Sequence, residues 1–406
     1  MASIRIKNVG PLTDTGDVVL GKFNIVIGKQ STGKSTLMKI LCFCQWIEKK
    51  VMIGEDKTTI SAYTHYSRFL KELKQFHRFN DNYFCNQSEI HYVGECIMID
   101  LVGTKNAKIA RMPNFETHKH NTKLCFIPSE RNLVSAIKNV DRAYKSKDID
   151  LIFNHIFEWE EAKESTSESN PVDLKMVGDM EYYYDNIKET DIIHLRKEKR
   201  HISPFFASSG VQSVLPIVVM VNYLTESIFS DIVDLSKRGI SDLFKQFMSA
   251  KRDVDFSYVA EQVSKIVNYQ NTQIFIEEPE QNLFPSAQQE LIMHIASRIN
   301  YACEQTKMPS SVTMTTHSPY VLTAFNMLTK AAEAAENSSE KAHAIISQDR
   351  TIPIKDIRAY YINDDGRLID IVDKELGIII GNDLDKASDV VEDNIIYFNN
   401  IIYGDE

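Results

Sequence analysis

The sequence predicts an α/β fold of two lobes, one built on a mixed sheet and the other helical. Three observations lead there. A short apolar strand, Phe23–Ile27, runs straight into a Gly-rich loop, and Thr36–Lys49 follows with Leu37, Ile40, Leu41, Cys44 and Ile47 at helical spacing. Two further apolar runs, Gln273–Ile276 and Ser311–Thr315, read as buried strands that end in chemistry-bearing side chains. A long apolar helix is expected over Val211–Phe229.

The remaining elements fall in order around these. Residues 3–9 alternate as a strand, a Gly10-Pro11 turn follows, and Asp17–Leu20 reads as a second strand. Residues 51–90 are expected to be mostly helical, and Tyr92–Leu101, Lys108–Met112 and Lys123–Ile127 to be strands. The chain is charged over 131–200, with a polar loop at Glu164–Asn170 and a strand at Asp191–Leu195. Residues 230–265 carry an amphipathic helical pattern. Helices are expected over Ala287–Asn300 and Pro319–Leu328, then an Ala-rich connector over 330–341. A hairpin over 357–371 would turn at Asp364-Asp365-Gly366, and an acidic tail begins at Gly381. This divides the chain into lobe I (1–130 and 266–372), lobe II (131–265) and a tail (373–406).

Composition narrows the class. Of 406 residues, 43% are hydrophobic and 25% charged, as in ordinary soluble domains. A formal net charge of -10 argues against a general nucleic-acid binder. The six cysteines form no C-x-x-C pair and suit a reducing cytosol. The N-terminus opens on the alternating Ile4-Arg5-Ile6-Lys7 rather than a signal sequence, and no apolar run is read as a membrane span. The expectation is a cytoplasmic chain with no membrane partner.

The loop Gly28-Lys29-Gln30-Ser31-Thr32-Gly33-Lys34-Ser35 fits G-x-x-x-x-G-K-[ST], with a strand before it and Thr36 opening a helix after it. Glycines let backbone N–H groups converge, and the helix N-terminus adds partial positive charge, so the loop suits phosphate. Lys34 would reach the terminal phosphates of ATP, and the Ser35 hydroxyl would hold Mg2+. Gln273–Ile276 runs into Glu277-Glu278-Pro279-Glu280. An acid pair at a strand end beside such a loop suits metal ordering by Glu277, through water, and water activation by Glu278. The plainer alternative is a solvated acidic turn. His317, after Ser311–Thr315, is placed to sense a γ-phosphate; its plain alternative is a structural imidazole. Ser208-Ser209-Gly210 ahead of the apolar helix reads as a helix cap with free N–H groups, an anion site in itself.

In this order the motifs resemble those of the ABC-type ATPase superfamily, in its RecF-, SMC- and OLD-like branch of DNA-repair and antiphage-defence ATPases. Ser208-Ser209-Gly210-Val211-Gln212 resembles the signature, which implies that Ser209, Gly210 and Gln212 meet ATP held by a second copy. Glu277–Pro285 resembles the Walker B and D-loop stretch with Glu278 as catalytic acid, and His317 resembles the switch histidine. Pro128-Ser129-Glu130-Arg131 is similar to a segment of the same branch near the lobe junction. Three positions depart from the pattern: Val211 for a glycine, Glu277 for an aspartate and Phe284 for the D-loop aspartate.

The resemblance implies a homodimer or higher homo-oligomer built on shared ATP sites, acting as a switch on a separate effector protein. A RecF-like DNA-binding ATPase and a non-hydrolysing ATP sensor are the alternatives. No appended nuclease is expected after His317, and Asp364, Asp365 and Asp370 read as solvated turn acids. Arg196–His201 offers phosphate contacts to DNA or RNA, against a plainer reading as a hairpin edge.

Overall fold

The computed structural model describes residues 2–54, 56–137, 140, 150–229 and 269–381. The amphipathic helix expected over 230–265 and the tail beyond Gly381 lie outside them.

Two sheets enclose the helix that follows the Gly-rich loop, Lys34–Ile53. One is antiparallel: β1 (Ser3–Val9), β2 (Leu12–Asp14), β3 (Val18–Val19), β5 (Phe84–Val93), β6 (Ile97–Val102) and β7 (Lys108–Arg111), in the order β2-β1-β5-β6-β7 with β3 also on β1. The other runs β16-β15-β4-β14-β13-β8. Here β8 (Thr122–Ile127), β13 (Asn271–Glu277), β14 (Ser311–Thr316), β4 (Phe23–Gly28) and β15 (Ile357–Ile362) are parallel, and β16 (Leu368–Asp370) is antiparallel to β15. Period-2 alternation sends successive side chains of these strands into different cores. Val26, Phe126, Phe275 and Ile362 pack with the Lys34–Ile53 helix. Ile25, Ile27, Ile274 and Ile276 pack with the helices Ser209–Thr225, Pro285–Thr306 and Pro319–Asn337. The parallel sheet is therefore buried on both faces, which explains its near-continuous apolar strands.

Four expectations are corrected. Tyr92–Leu101 is two strands, not one, because Gly94 turns the chain and its N–H donates to Ile97 O at 2.8 Å. Phe84–Ile90, expected as helix, is the first half of that hairpin, with Ile90 and Tyr92 facing the core and Asn86 and Gln87 facing out. The Ala-rich connector is instead helix, Pro319–Asn337 and then Ser339–His343. Ala and Glu have high helix propensity, and the exposed side needs no apolar stripe. The segment read as charged and mostly helical holds a four-stranded antiparallel sheet: β9 (Val172–Asp173), β10 (Met180–Asp185), β11 (Thr190–Leu195) and β12 (Arg200–Ile202). One face is buried through Tyr182 and Ile193 and Tyr183 is buried on the other, but most of the remaining side chains are partly or fully exposed, so its apolar signal is thin. Arg196 at its hairpin edge is held by Glu181 (2.7 Å) and Asp173 (3.2 Å).

One exclusion also changes. Ser209–Phe229 is long and apolar enough, by length and composition, to cross a membrane. In the fold most of it is interior: Val214, Leu215, Ile217 and Val221 are fully buried, among the helices Leu151–Lys163 and Pro285–Thr306.

Trp159, 1% exposed, anchors the Leu151–Lys163 helix to β10, its ring 5.9 Å from Tyr182. Trp159→Ala should lower unfolding free energy by about 3–5 kcal/mol. Urea denaturation measures it, and a midpoint equal to the parent's would show that this contact does not anchor the helix.

Candidate functional site

The Gly-rich loop joins the C-terminal end of β4 to the Lys34–Ile53 helix. Gly28 (φ 156°) passes so close to the neighbouring strand that a Cβ there would stand 2.7 Å from Ile362 O and 2.9 Å from Thr32 Oγ1. The helix N-cap, Gly33, offers no side chain to its first N–H groups, which are left for an anion. Lys34 is buried and its ammonium donates to Gly28 O (2.8 Å) and Lys29 O (2.6 Å). Burial pushes its pKa down to about 8, against the opposing pull of Glu278 and Glu280. Ser35, Gln30 and Ser31 are exposed, Thr36 is buried, and Thr32 Oγ1 bonds Lys29 O at 2.9 Å. Lys29 pairs with Asp364 at 2.6 Å, which ties the loop to the β15–β16 turn.

The acid pair stands two strands away, at the same end of the sheet. Glu277 is 2% exposed. Ser129 N–H donates to its Oε2 at 3.2 Å, while Oε1 is buried with no hydrogen-bond partner. A buried carboxylate oxygen without a donor is costly, so this oxygen suits a cation or a cation-bound water. Glu278 leaves β13 with φ 45°, a conformation few non-glycine residues adopt, and its N–H bonds Thr315 O at 2.9 Å. Its Oε1 lies 3.0 Å from His317 Nε2. That hydrogen bond draws the Glu278 carboxyl below the usual range, so the carboxylate accepts and Nε2–H donates. His317 N–H donates to Glu280 Oε1 at 2.7 Å. Ser318 then caps the next helix through Tyr320 N–H (3.2 Å), with Pro319 at the first helical position, and this fixes where His317 leaves β14.

Arg131 joins these parts and was not among the predicted site residues. It is fully buried. Its Nη1 donates to Glu277 O (2.7 Å), Nη2 to Glu278 O (2.8 Å) and Nε to Ser213 O (3.0 Å) in the Ser209–Thr225 helix. Burial lowers its pKa to about 10, opposed by Glu280, Glu278 and Glu277. The signal for it was an arginine just after an apolar strand, visible in Pro128–Arg131 but without an address. Glu280 was also missed as a partner of His317.

The Ser208–Gln212 segment lies beside the turn at Asn282 and Leu283. A Cβ on Gly210 would meet Asn282 O at 2.9 Å, and Asn282 Nδ2 donates to Ser213 Oγ at 2.9 Å. Ser208 is the N-cap, accepting from Val211 N–H at 3.5 Å, and Ser209 is exposed. Gln212 donates to Pro204 O (3.0 Å) and Phe205 O (3.1 Å), so its amide serves the preceding turn. The structure thus groups Lys34, Glu277, Glu278 and His317. None of the hydrogen bonds of Ser209, Gly210 or Gln212 among the described residues reaches Gly28–Thr36.

No protein-family profile and no curated protein sequence matches the chain. Similar solved structures include an SMC head domain from Thermotoga maritima, 9% identical, covering 79% of this chain and 90% of that one, at TM-score 0.35. Another is an SMC head bound to the C-winged helix domain of ScpA, 9% identical over 92% and 98%, at TM-score 0.37. A third is a dimeric bacterial ABC transporter cassette, 12% identical over 90% and 96%, at TM-score 0.30. Likenesses this distant leave the roles of residues to this chain's own geometry.

Arg131→Leu would strip the side-chain donors from the carbonyls of Glu277, Glu278 and Ser213, and the longer 3.4 Å one from Pro128. The expected loss is about 2–5 kcal/mol of stability. Chemical denaturation reads it; a loss no larger than that of an exposed Arg200→Leu control would show that the bridge carries no weight.

Proposed function

We propose that the chain is an ATPase whose sites are completed by a second copy of itself. The grouping of Lys34, the half-satisfied Glu277 and the Glu278–His317 pair around one phosphate loop carries this reading. The open helix N-terminus receives phosphate oxygens, and Lys34 exchanges the carbonyls of Gly28 and Lys29 for them. Ser35 and the free oxygen of Glu277 are the donors that would hold Mg2+, Glu277 through water. Bound Mg2+ would neutralise charge on the phosphates. Glu278 is ionised at neutral pH and takes the proton of the attacking water. In the resting state His317 Nε2–H occupies that carboxylate, and a γ-phosphate oxygen competing for the same proton frees it.

The second copy supplies Ser209 and Gly210. Support comes from the surface around them: Phe205 and Phe206, in contact just ahead of the helix start, and Phe284, next to the Asn282–Leu283 turn that Gly210 abuts, are 42%, 68% and 77% exposed. Exposed aromatics clustered beside an anion-binding helix start suit a surface that another chain covers. The same reading carries a separate effector protein as the output of the switch, in an antiphage setting; its support is the family resemblance.

Lys34→Ala and Ser209→Arg should each abolish turnover. Mixing the two variants should restore part of it, because a mixed dimer holds one site with Lys34 and Ser209 both intact. Glu278→Gln should keep ATP binding, lose about 10²–10⁴-fold in rate and accumulate an ATP-bound dimer by light scattering. A mixture that stays inactive sinks the shared site, and surviving hydrolysis in Glu278→Gln removes it as the base.

Affinity for ATP should also depend on pH in a stated direction. Lys34 without phosphate holds its proton only up to about pH 8. Triphosphate would raise that value, so binding should take up protons near and above pH 8 and weaken as pH rises further. Calorimetry in buffers of different ionisation enthalpy reads the uptake; proton release there would contradict the placement of Lys34.

A further inference from the structure

The parallel strands that end at the phosphate loop begin at a second cavity. Thr122 of β8, Asn271 of β13, Ser311 of β14 and Lys22 just ahead of β4 lie around it, and its volume is about 310 Å³. Strands of this length put it roughly 20 Å from the phosphate loop. Ligand crevices of open α/β sheets ordinarily lie at the C-terminal strand ends. This cavity is at the other end and belongs to no site described above.

Its inner wall is one face of the Lys34–Ile53 helix: Gln45, Glu48, Lys49 and Met52. Glu48 satisfies itself. Tyr92 O–H donates to its Oε2 at 2.5 Å, and the N–H groups of Cys96 and Ile97 donate to Oε1 at 2.7 and 3.3 Å. Burial raises its pKa, which favours the neutral form.

Gln45 and Lys49 are not so provided for. Gln45 is 6% exposed, and its Oε1 is buried without a donor. The Lys49 ammonium rests over the Tyr269 ring at 4.8 Å and makes no ion pair among the described residues. Nearby Lys123 already holds Glu158 at 2.7 Å. Burial pushes Lys49 down to about 7; the like charge of Lys123 adds to this, and Glu158, already paired with Lys123, opposes it. The mouth is electrically mixed, with Lys22, His120 and Lys355 against Glu95 and Asp356. What selects lies inside: a cation with no ion pair and an acceptor with no donor among the described residues, one helical turn apart. Cavities of this size ordinarily take small molecules.

We propose that this cavity binds a small organic anion bearing a hydroxyl or amine, its anionic end on Lys49 and its donor on Gln45. Carboxylates and phosphate esters share that chemistry.

The probe is pyridoxal 5′-phosphate, an aldehyde with an anionic group, at substoichiometric amount on the full chain. The aldehyde condenses with an unprotonated lysine amine and loses water. Borohydride then delivers hydride to the imine carbon, and peptide mapping reads each lysine separately. Lys49 should be modified well ahead of Lys22 and Lys355. Citrate or glycerol 3-phosphate should protect it. Protection by citrate alone makes the site one for carboxylates, and protection by glycerol 3-phosphate alone one for phosphate esters. Gln45→Leu, checked by its melting curve, should leave Lys49 reactive but raise the protecting concentration roughly tenfold, as for one lost hydrogen bond. Labelling spread evenly over surface lysines overturns the proposal. So does selective labelling of Lys49 that neither anion reduces, since the cavity is then only a hydrated crevice.

Discussion

The guanidinium of Arg131 is the contact on which the site depends. Three segments far apart in sequence give it their carbonyls: its own turn at Pro128, the end of β13 at Glu277 and Glu278, and the Ser209–Thr225 helix at Ser213. Glu278 sits at φ 45°, where an L-residue loses about 1–2 kcal/mol relative to its usual conformations. Two fixed points hold it there: Arg131 on its carbonyl and Thr315 O on its N–H. Burial alone would remove the charge from an arginine only at extreme cost, and a pKa near 10 leaves Arg131 cationic at neutral pH. The same cation therefore balances the field of Glu277, Glu278 and Glu280 and fixes the chain that carries them.

That arrangement makes the acid pair and the Ser209–Thr225 helix mechanically continuous. The carbonyl of Ser213 accepts from Arg131 Nε, and its hydroxyl oxygen accepts from Asn282 Nδ2. Any displacement of the helix start, such as the shared site proposed above would impose, would thus be felt at two points of the segment that bears Glu278. A buried network with two discrete bonds transmits such a shift better than a solvated loop, whose bonds exchange with water.

Legibility in the sequence followed locality. The strand–loop–helix around Gly28–Ser35 and the strands Gln273–Ile276 and Ser311–Thr315 were readable because each is a short apolar run followed directly by its polar residues, with both sides set by neighbours in sequence. The Glu278–His317 pair was foreshadowed by the order of strands, though not its 3.0 Å geometry. Arg131 was illegible as a bridge because its partners lie more than 80 and 140 residues away. Asp191–Leu195 was readable as a strand but its partners β9, β10 and β12 were not, since most of their side chains are partly or fully exposed, and the Pro319 helix was readable only to Leu328 because its Ala-rich continuation carries no apolar stripe. The membrane-length reading of Ser209–Phe229 shows the converse: a helix buried on all sides by its own domain has the composition of one buried by lipid.

Both groups that would meet the γ-phosphate are engaged within the chain. Lys34 spends its ammonium on two loop carbonyls, and His317 spends Nε2–H on Glu278. Under the ATPase reading, each contact must be exchanged rather than simply added when nucleotide arrives. The first exchange opens the loop. The second releases the carboxylate that would activate water, and it does so only once a phosphate oxygen is present to take the imidazole N–H. The resting base is thus masked by the same histidine that would report the substrate, so an unloaded chain keeps Glu278 paired. A lysine with a pKa near 8 is still cationic at neutral pH, so its ammonium rests on the two loop carbonyls, and a bound triphosphate would hold that proton more firmly.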